Sequence, residues 1–188
     1  MTTKEYTKKT SNIINSFKGD YFFLSNFYES TVTFNGRTFQ NNEAAFQAEK
    51  TLDETVKESF CDLKPNKAKY LGRKIQLRPD WETVKEEKML GIVRAKFIQN
   101  KALQEKLLAT GDAYLEEGND WGDKIWGTVN GEGQNLLGKI LMKVRNELKT
   151  MVVLNVEPLK CNECPLECEF KNVSDQCIFH KVKKTIIE

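Results

Sequence analysis

From Tyr114 the chain runs YLEEGNDWGDKIWGTVNGEGQ, about 20 residues rich in Gly, Trp, Asn and Asp, before entering the apolar periodicity of NLLGKILMKVRNEL. Structureless stretches of that length are uncommon inside a compact domain, and those that occur usually carry function. The rest of the chain must therefore fold as a scaffold that holds this loop, with a closing helix expected from about Asn135 to Lys149. Within the loop, Trp121 and Trp126 bracket Gly122 and Asp123. Indole faces, close-approach glycines and an acid suit a sugar or a heterocyclic base; the bland alternative is core filler plus a turn-forming Asp.

The scaffold is legible in start and stop signals. Aromatic and β-branched residues from YFFLSNFYES to TVTFNGRTF predict short strands near residues 20–39, with Asn35 and Gly36 at a hairpin turn. Asn42 is a candidate N-cap for a helix reaching Thr51, and a second short helix is expected over 53–63. Pro65 starts a helix ending near Gly72. Asp80 caps another with Trp81 in its first turn and Val84, Met89, Ile92, Val93 and Phe97 facing the core. KALQEKLLAT forms a further helix closed by Thr110 and Gly111. The predicted fold class is α+β: one mainly helical domain over residues 17–150, with a few short strands near its N-terminus. Residues 1–16 are polar and expected to be frayed, and a small Cys-rich appendage covers 151–188.

Of the 188 residues, 39% are hydrophobic and 30% charged. That is a soluble globular composition, and no apolar run approaches the roughly 18 residues of a membrane span. The N-terminal residues lack the apolar segment and cleavage site of a secretory signal, which predicts a cytoplasmic protein without membrane partners. A net charge of +2 gives no global pull toward a polyanion and disfavours a dedicated duplex binder.

NNEAAFQAEK places Glu43, Gln47 and Lys50 at helical offsets 0, 4 and 7, on one stripe. A carboxylate there serves as acid, base or cation stabiliser, and an amine one turn on holds it ionised or acts as a nucleophile. The alternative is a pair of solvated surface charges. Asn26, in SNF, is either a turn residue or a polar ligand contact. Trp81 is either core or pocket wall.

Cys161, Cys164, Cys168, Cys177 and His180 fall within 20 residues and include the chain's single histidine. Four such ligands make a closed structural zinc site, and a tail this short needs a staple to fold. Reduced free thiols and an iron-sulfur cluster are the alternatives.

FLSNFY, GRTFQNNEAAFQAEK, LGR, LRPDWETVKEEKM, RAKF, LLATG, DWGD and GQNLLGKILMKVR occur in the order and spacing of the NADAR family. The resemblance covers about residues 17–149 and excludes the Cys-rich tail. It implies a small α+β domain that cleaves N-glycosidic bonds between a ribosyl group and an amine or base. The family's YbiA-like branch acts on early pyrimidine intermediates of riboflavin synthesis, and other members remove ADP-ribose from guanine in nucleic acid. A non-catalytic NAD or ADP-ribose sensor is the reading from another class. By the same resemblance the motif glutamate falls on Glu43, the helix-opening tryptophan on Trp81, and the second tryptophan and its acid on Trp121 and Asp123. Lys50 matches the lysine of the E-x3-Q-x2-K pattern and Asn26 the S-N-F asparagine. Glu43, Asp123 and Lys50 are thus the expected catalytic groups, with Asn26, Gln47, Trp81, Trp121 and Trp126 in substrate binding. The expected substrate is small and ribosylated or ADP-ribosylated, nucleic acid enters only as an ADP-ribosylated substrate, and no cofactor is expected for catalysis.

Overall fold

The computed structural model describes residues 12–151 and the backbone of 152–153, 159–160 and 176–177. They form a mixed helix and strand domain built around two long helices. In chain order the elements are β1 (Ile13–Ile14), a 3-10 turn (Gly19–Leu24), β2 (Glu29–Phe34), β3 (Arg37–Asn41), α1 (Asn42–Ala48), α2 (Glu54–Glu58) and α3 (Pro65–Leu71). Then follow α4 (Trp81–Gln99), α5 (Lys101–Ala109), β4 (Tyr114–Leu115), α6 (Leu136–Val153), β5 (Leu159–Lys160) and β6 (Gln176–Cys177).

The β2–β3 hairpin turns on Asn35 and Gly36 at φ 49° and 76°, left-handed values that Asn and Gly tolerate best. Its apolar face, Val32, Phe34 and Phe39, is buried against α4. The sequence spreads strand character back to residue 20, whereas Gly19–Leu24 winds as a 3-10 turn. The cause is distant in the chain: fully buried Lys96 of α4 donates to Phe23 O at 2.7 Å and Ser25 O at 3.0 Å. Those carbonyls have a partner that a ladder would otherwise have to supply.

Helix α1 starts one residue earlier than its sequence signal suggests. Asn41, not Asn42, is the cap, its Oδ1 accepting the Ala44 N–H at 2.8 Å, a bond type worth about 1 kcal/mol. The helix stops at Ala48, short of Thr51, so Lys50 sits in the following turn. All seven α1 residues are buried, and fully inaccessible Ala44, Ala45 and Ala48 let α3 and α4 approach closely. At α4, Asp80 occupies the cap position, but its side chain pairs with Arg78. Met89, Ile92, Val93 and Phe97 are buried as expected from their spacing, while Val84 is half-buried.

Ile13 and Ile14, which the sequence places in the frayed N-terminus, pair in parallel with Tyr114 and Leu115. Ile14 joins the core, and burial of that side chain is what holds so short a strand. No helix of the described residues is long and apolar enough to cross a membrane. Cys161, Cys164, Cys168 and His180 lie outside the described residues, as does the side chain of Cys177.

Candidate active site

A cavity of about 540 Å³ opens between α1, α3, the 3-10 turn and the 116–135 loop. Asn26, Glu43, Gln47, Lys50, Trp121, Asp123 and Trp126 all line it, so seven of the eight catalytic and substrate-binding candidates singled out from sequence share one space. Trp81 does not line it. That residue lies buried behind Phe46, ring centroids 5.1 Å apart, and Phe46 forms the wall that the sequence assigns to an indole. Trp81 reaches the site indirectly, through Phe46 and through Lys50 Nζ, 5.9 Å from its ring.

Helix α1 presents Glu43 to the cavity. Its Oε1 accepts Gln47 Nε2 at 2.8 Å, the i to i+4 pairing expected on one helical face. Gln47 is itself set by α3: a Cβ at Gly72 would lie 1.9 Å from Gln47 Oε1, so only glycine admits this arrangement. Asn26 fixes the start of α1, its carbonyl accepting the Glu43 N–H at 3.0 Å and its amide touching Met89 Sδ at 3.3 Å. Burial raises the Glu43 pKa, and the Asp123 carboxylate adds to the rise; the Gln47 hydrogen bond and the Lys69 and Lys50 charges oppose it.

The loop presents its acids differently. Asp123 Oδ1 accepts the N–H groups of Ile125 at 3.0 Å and Trp126 at 2.9 Å, an Asx turn that fixes the side chain. Asn119 clamps the same turn, accepting Asp123 N–H at 3.0 Å while its amide donates to Asp123 O at 2.8 Å and Thr128 O at 2.9 Å. Asp123 is thus both the turn former and the cavity acid that its sequence context allows. Trp126 packs edge-on to Phe46, with centroids 5.1 Å apart. Trp121 is 55% exposed at the rim, with Lys69 Nζ 5.8 Å from its ring and 5.3 Å from that of Phe27.

Four charged residues of the wall have no place in the sequence reading: Lys18, Lys69, Arg73 and Glu117. Lys69 lies in the last turn of α3 and Arg73 in the turn just after its Gly72 cap, and both reach the cavity. Glu117 belongs to the loop already singled out, but its neighbour Glu116 masks it. Glu116 turns to Thr128 Oγ1 at 2.7 Å while Glu117 enters the cavity. Lys50 is pushed below the ordinary lysine range by burial; Arg73 and Lys69 add to the shift, and Glu43 and Glu82 oppose it.

An aromatic-walled cavity with several acids and an amine is the site of a small-molecule enzyme. The chain belongs to the NADAR domain family, which matches residues 14–149. The N-glycosidase YbiA of Escherichia coli (strain K12) is 40% identical over 133 residues, 69% of this chain and 82% of that protein. A riboflavin biosynthesis protein of Vibrio vulnificus (strain YJ016) is 38% identical over 138 residues, 71% of this chain but 37% of that protein, so this chain spans little more than a third of that relative. The NMR structure of E. coli YbiA superposes with a TM-score of 0.69 at 38% identity, covering 76% of this chain and 88% of that one.

Proposed function

We propose that this chain is an N-glycosidase that hydrolyses the N-ribosyl bond of a small ribosylated metabolite, as the names of its YbiA relatives suggest. The observation that supports this reading best is that Glu43 of α1 and Asp123 of the loop, 80 residues apart in sequence, line one cavity. Breaking a C1′–N bond develops positive charge at the anomeric carbon while the departing nitrogen needs a proton. Glu43 and Asp123 share the stabilisation of that charge and the direction of water to the carbon. Phe46, Trp126 and Trp121 form apolar walls for the base. Lys18, Lys69 and Arg73 add basic groups to the cavity lining, which suits a phosphate on the sugar.

Lys50 supports a covalent version of the same reaction. A ribosylamine opens readily to an imine, and an amine with a lowered pKa is a better nucleophile toward it. Borohydride trapping under turnover, followed by mass spectrometry, is expected to leave a sugar adduct on Lys50; no adduct rejects the covalent version and leaves Lys50 an electrostatic partner of Glu43.

The substrate is tested by incubating the protein with a ribosylaminopyrimidine phosphate, with NAD and with ADP-ribosylated DNA. The first is expected to lose its sugar. Loss from the DNA alone moves the reading to an ADP-ribosyl hydrolase, and binding without loss from any of the three makes the chain a ligand-binding module.

A further inference from the structure

The N-glycosidase reading leaves one requirement unmet, a proton for the departing nitrogen, and Glu117 stands in the cavity with no other task. Its backbone is fixed on both sides: the N–H donates to Asn135 Oδ1 at 3.1 Å and the carbonyl accepts the Thr128 N–H at 2.9 Å. Gly127 lies against that carbonyl so closely that a Cβ there would sit 2.2 Å from it. The carboxyl, by contrast, takes no hydrogen bond or ion pair from any described residue; burial and the charges of neighbouring groups are what act on it. Asp123 has one oxygen committed to its turn, and Glu43 has one committed to Gln47. Of the three acids facing the cavity, Glu117 is the one with neither carboxyl oxygen engaged by a described residue.

We infer that Glu117 is the general acid that protonates the leaving nitrogen, a role that rests on the N-glycosidase reading given above. In the step, the C1′–N bond breaks and its electron pair goes to nitrogen, which takes the Glu117 proton. Water adds to the anomeric carbon and returns a proton to the Glu117 carboxylate, so the acid is regenerated and no other reactant is needed.

The surroundings keep this carboxyl protonated in neutral solution. The charged groups that share the cavity with it are Glu43 and Lys50 from the α1 side, Lys69 and Arg73 from the α3 side, Lys18 before the 3-10 turn, and Asp123 on its own loop. Burial, then the Asp123 and Glu43 carboxylates, push the Glu117 pKa up to about 8, with Lys69 opposing. A carboxylic acid placed beside two others in a half-closed space is the arrangement that separates proton donor from charge stabiliser.

The test uses the substrate that the wild-type chain cleaves, in two forms whose departing amines differ in basicity. For the wild type, kcat/KM is expected to fall as pH rises through about 8. In Glu117→Gln the alkaline fall disappears. The rate on the more basic amine drops by about 10²-fold or more, and the deficit shrinks below about 10-fold on the less basic one, which needs less help to leave. Glu117→Asp, which keeps an acid, is expected to recover part of the rate and the alkaline limb. A Glu117→Gln variant with the wild-type rate, or with an equal loss on both amines and an intact alkaline limb, overturns the assignment while leaving the N-glycosidase reading standing. A wild-type chain that cleaves none of the substrates fells the N-glycosidase reading itself, and the acid role with it.

Discussion

Helix α1 and the 116–135 loop deliver carboxyls to the same cavity by opposite means. On α1, Glu43 is held by apolar packing: alanines at 44, 45 and 48 with no exposed surface, and one side-chain hydrogen bond from Gln47. On the loop, Glu117 and Asp123 are held by polar side chains that take over backbone groups, Asn119 and Asn135 between them bonding the backbone at Leu115, Glu117, Asp123 and Thr128. Packing fixes a helix face because close contacts resist displacement. A loop has no ladder, so its N–H and C=O groups must find side-chain partners instead, and Asn, with donor and acceptor in one plane, serves both. The composition that made the loop look structureless is the material of its rigidity.

The comparison breaks first at the acids. Glu43→Gln and Asp123→Asn are each expected to lower kcat/KM by about 10²-fold or more with circular dichroism unchanged, because Asn retains an oxygen for the turn at 123. Asp123→Ala removes both roles and is expected to lose about 1–2 kcal/mol of stability as well, measurable by urea denaturation. Full activity in both conservative variants defeats the proposed site.

Two glycines sharpen the contrast between the regions. Gly127→Ala sets a Cβ against a backbone carbonyl at 2.2 Å, and Gly72→Ala sets one against a side-chain oxygen at 1.9 Å. Backbone cannot yield without moving the loop, so Gly127→Ala is expected to cost about 2 kcal/mol or more in stability together with most of the activity. A rotamer change swings Gln47 Oε1 away but leaves Gln47 Cβ 2.8 Å from the new methyl, so Gly72→Ala must also shift α1 slightly and is expected to lower activity by about 10-fold with a smaller thermal shift than Gly127→Ala. Equal thermal shifts in the two variants contradict the distinction.

A smaller effect concerns pH. Between the ordinary carboxyl value of 4.5 and about 8, the folded chain holds a proton on Glu117 that the unfolded chain has released. Stability therefore falls as pH rises through that window. Glu117→Gln has no such proton, so its Tm is expected to match wild type below about pH 4 and to exceed it by roughly a few degrees near pH 8. Smallest of all, Trp121→Ala at the exposed rim is expected to raise KM several-fold with kcat within about twofold, read from steady-state kinetics.

What was legible in the sequence was whatever is decided locally. Asn35-Gly36 fixes the hairpin by its own backbone preference, Pro65 and Gly111 punctuate helices, and the indoles around Asp123 mark the loop. What escaped was decided across the chain. The 3-10 turn owes its shape to Lys96, 73 residues away from Phe23, and no local pattern announces that partnership. Adjacent Glu116 and Glu117 are identical in the one-letter record; their opposite destinations depend on where Thr128 returns beside them. The sequence leaves Trp81 a choice between wall and core, and the packing of Phe46 in front of it decides for core.

The parallel pairing of Ile13–Ile14 with Tyr114–Leu115 carries a consequence for where this enzyme can be cut. Asn15 O lies so near Gly118 that a Cβ there would stand 2.4 Å from it, so the residues ahead of the first aromatic run form the abutment on which the loop's opening turn rests. A chain trimmed to begin at Phe17 would keep all three cavity acids in its sequence and lose the footing that aims two of them.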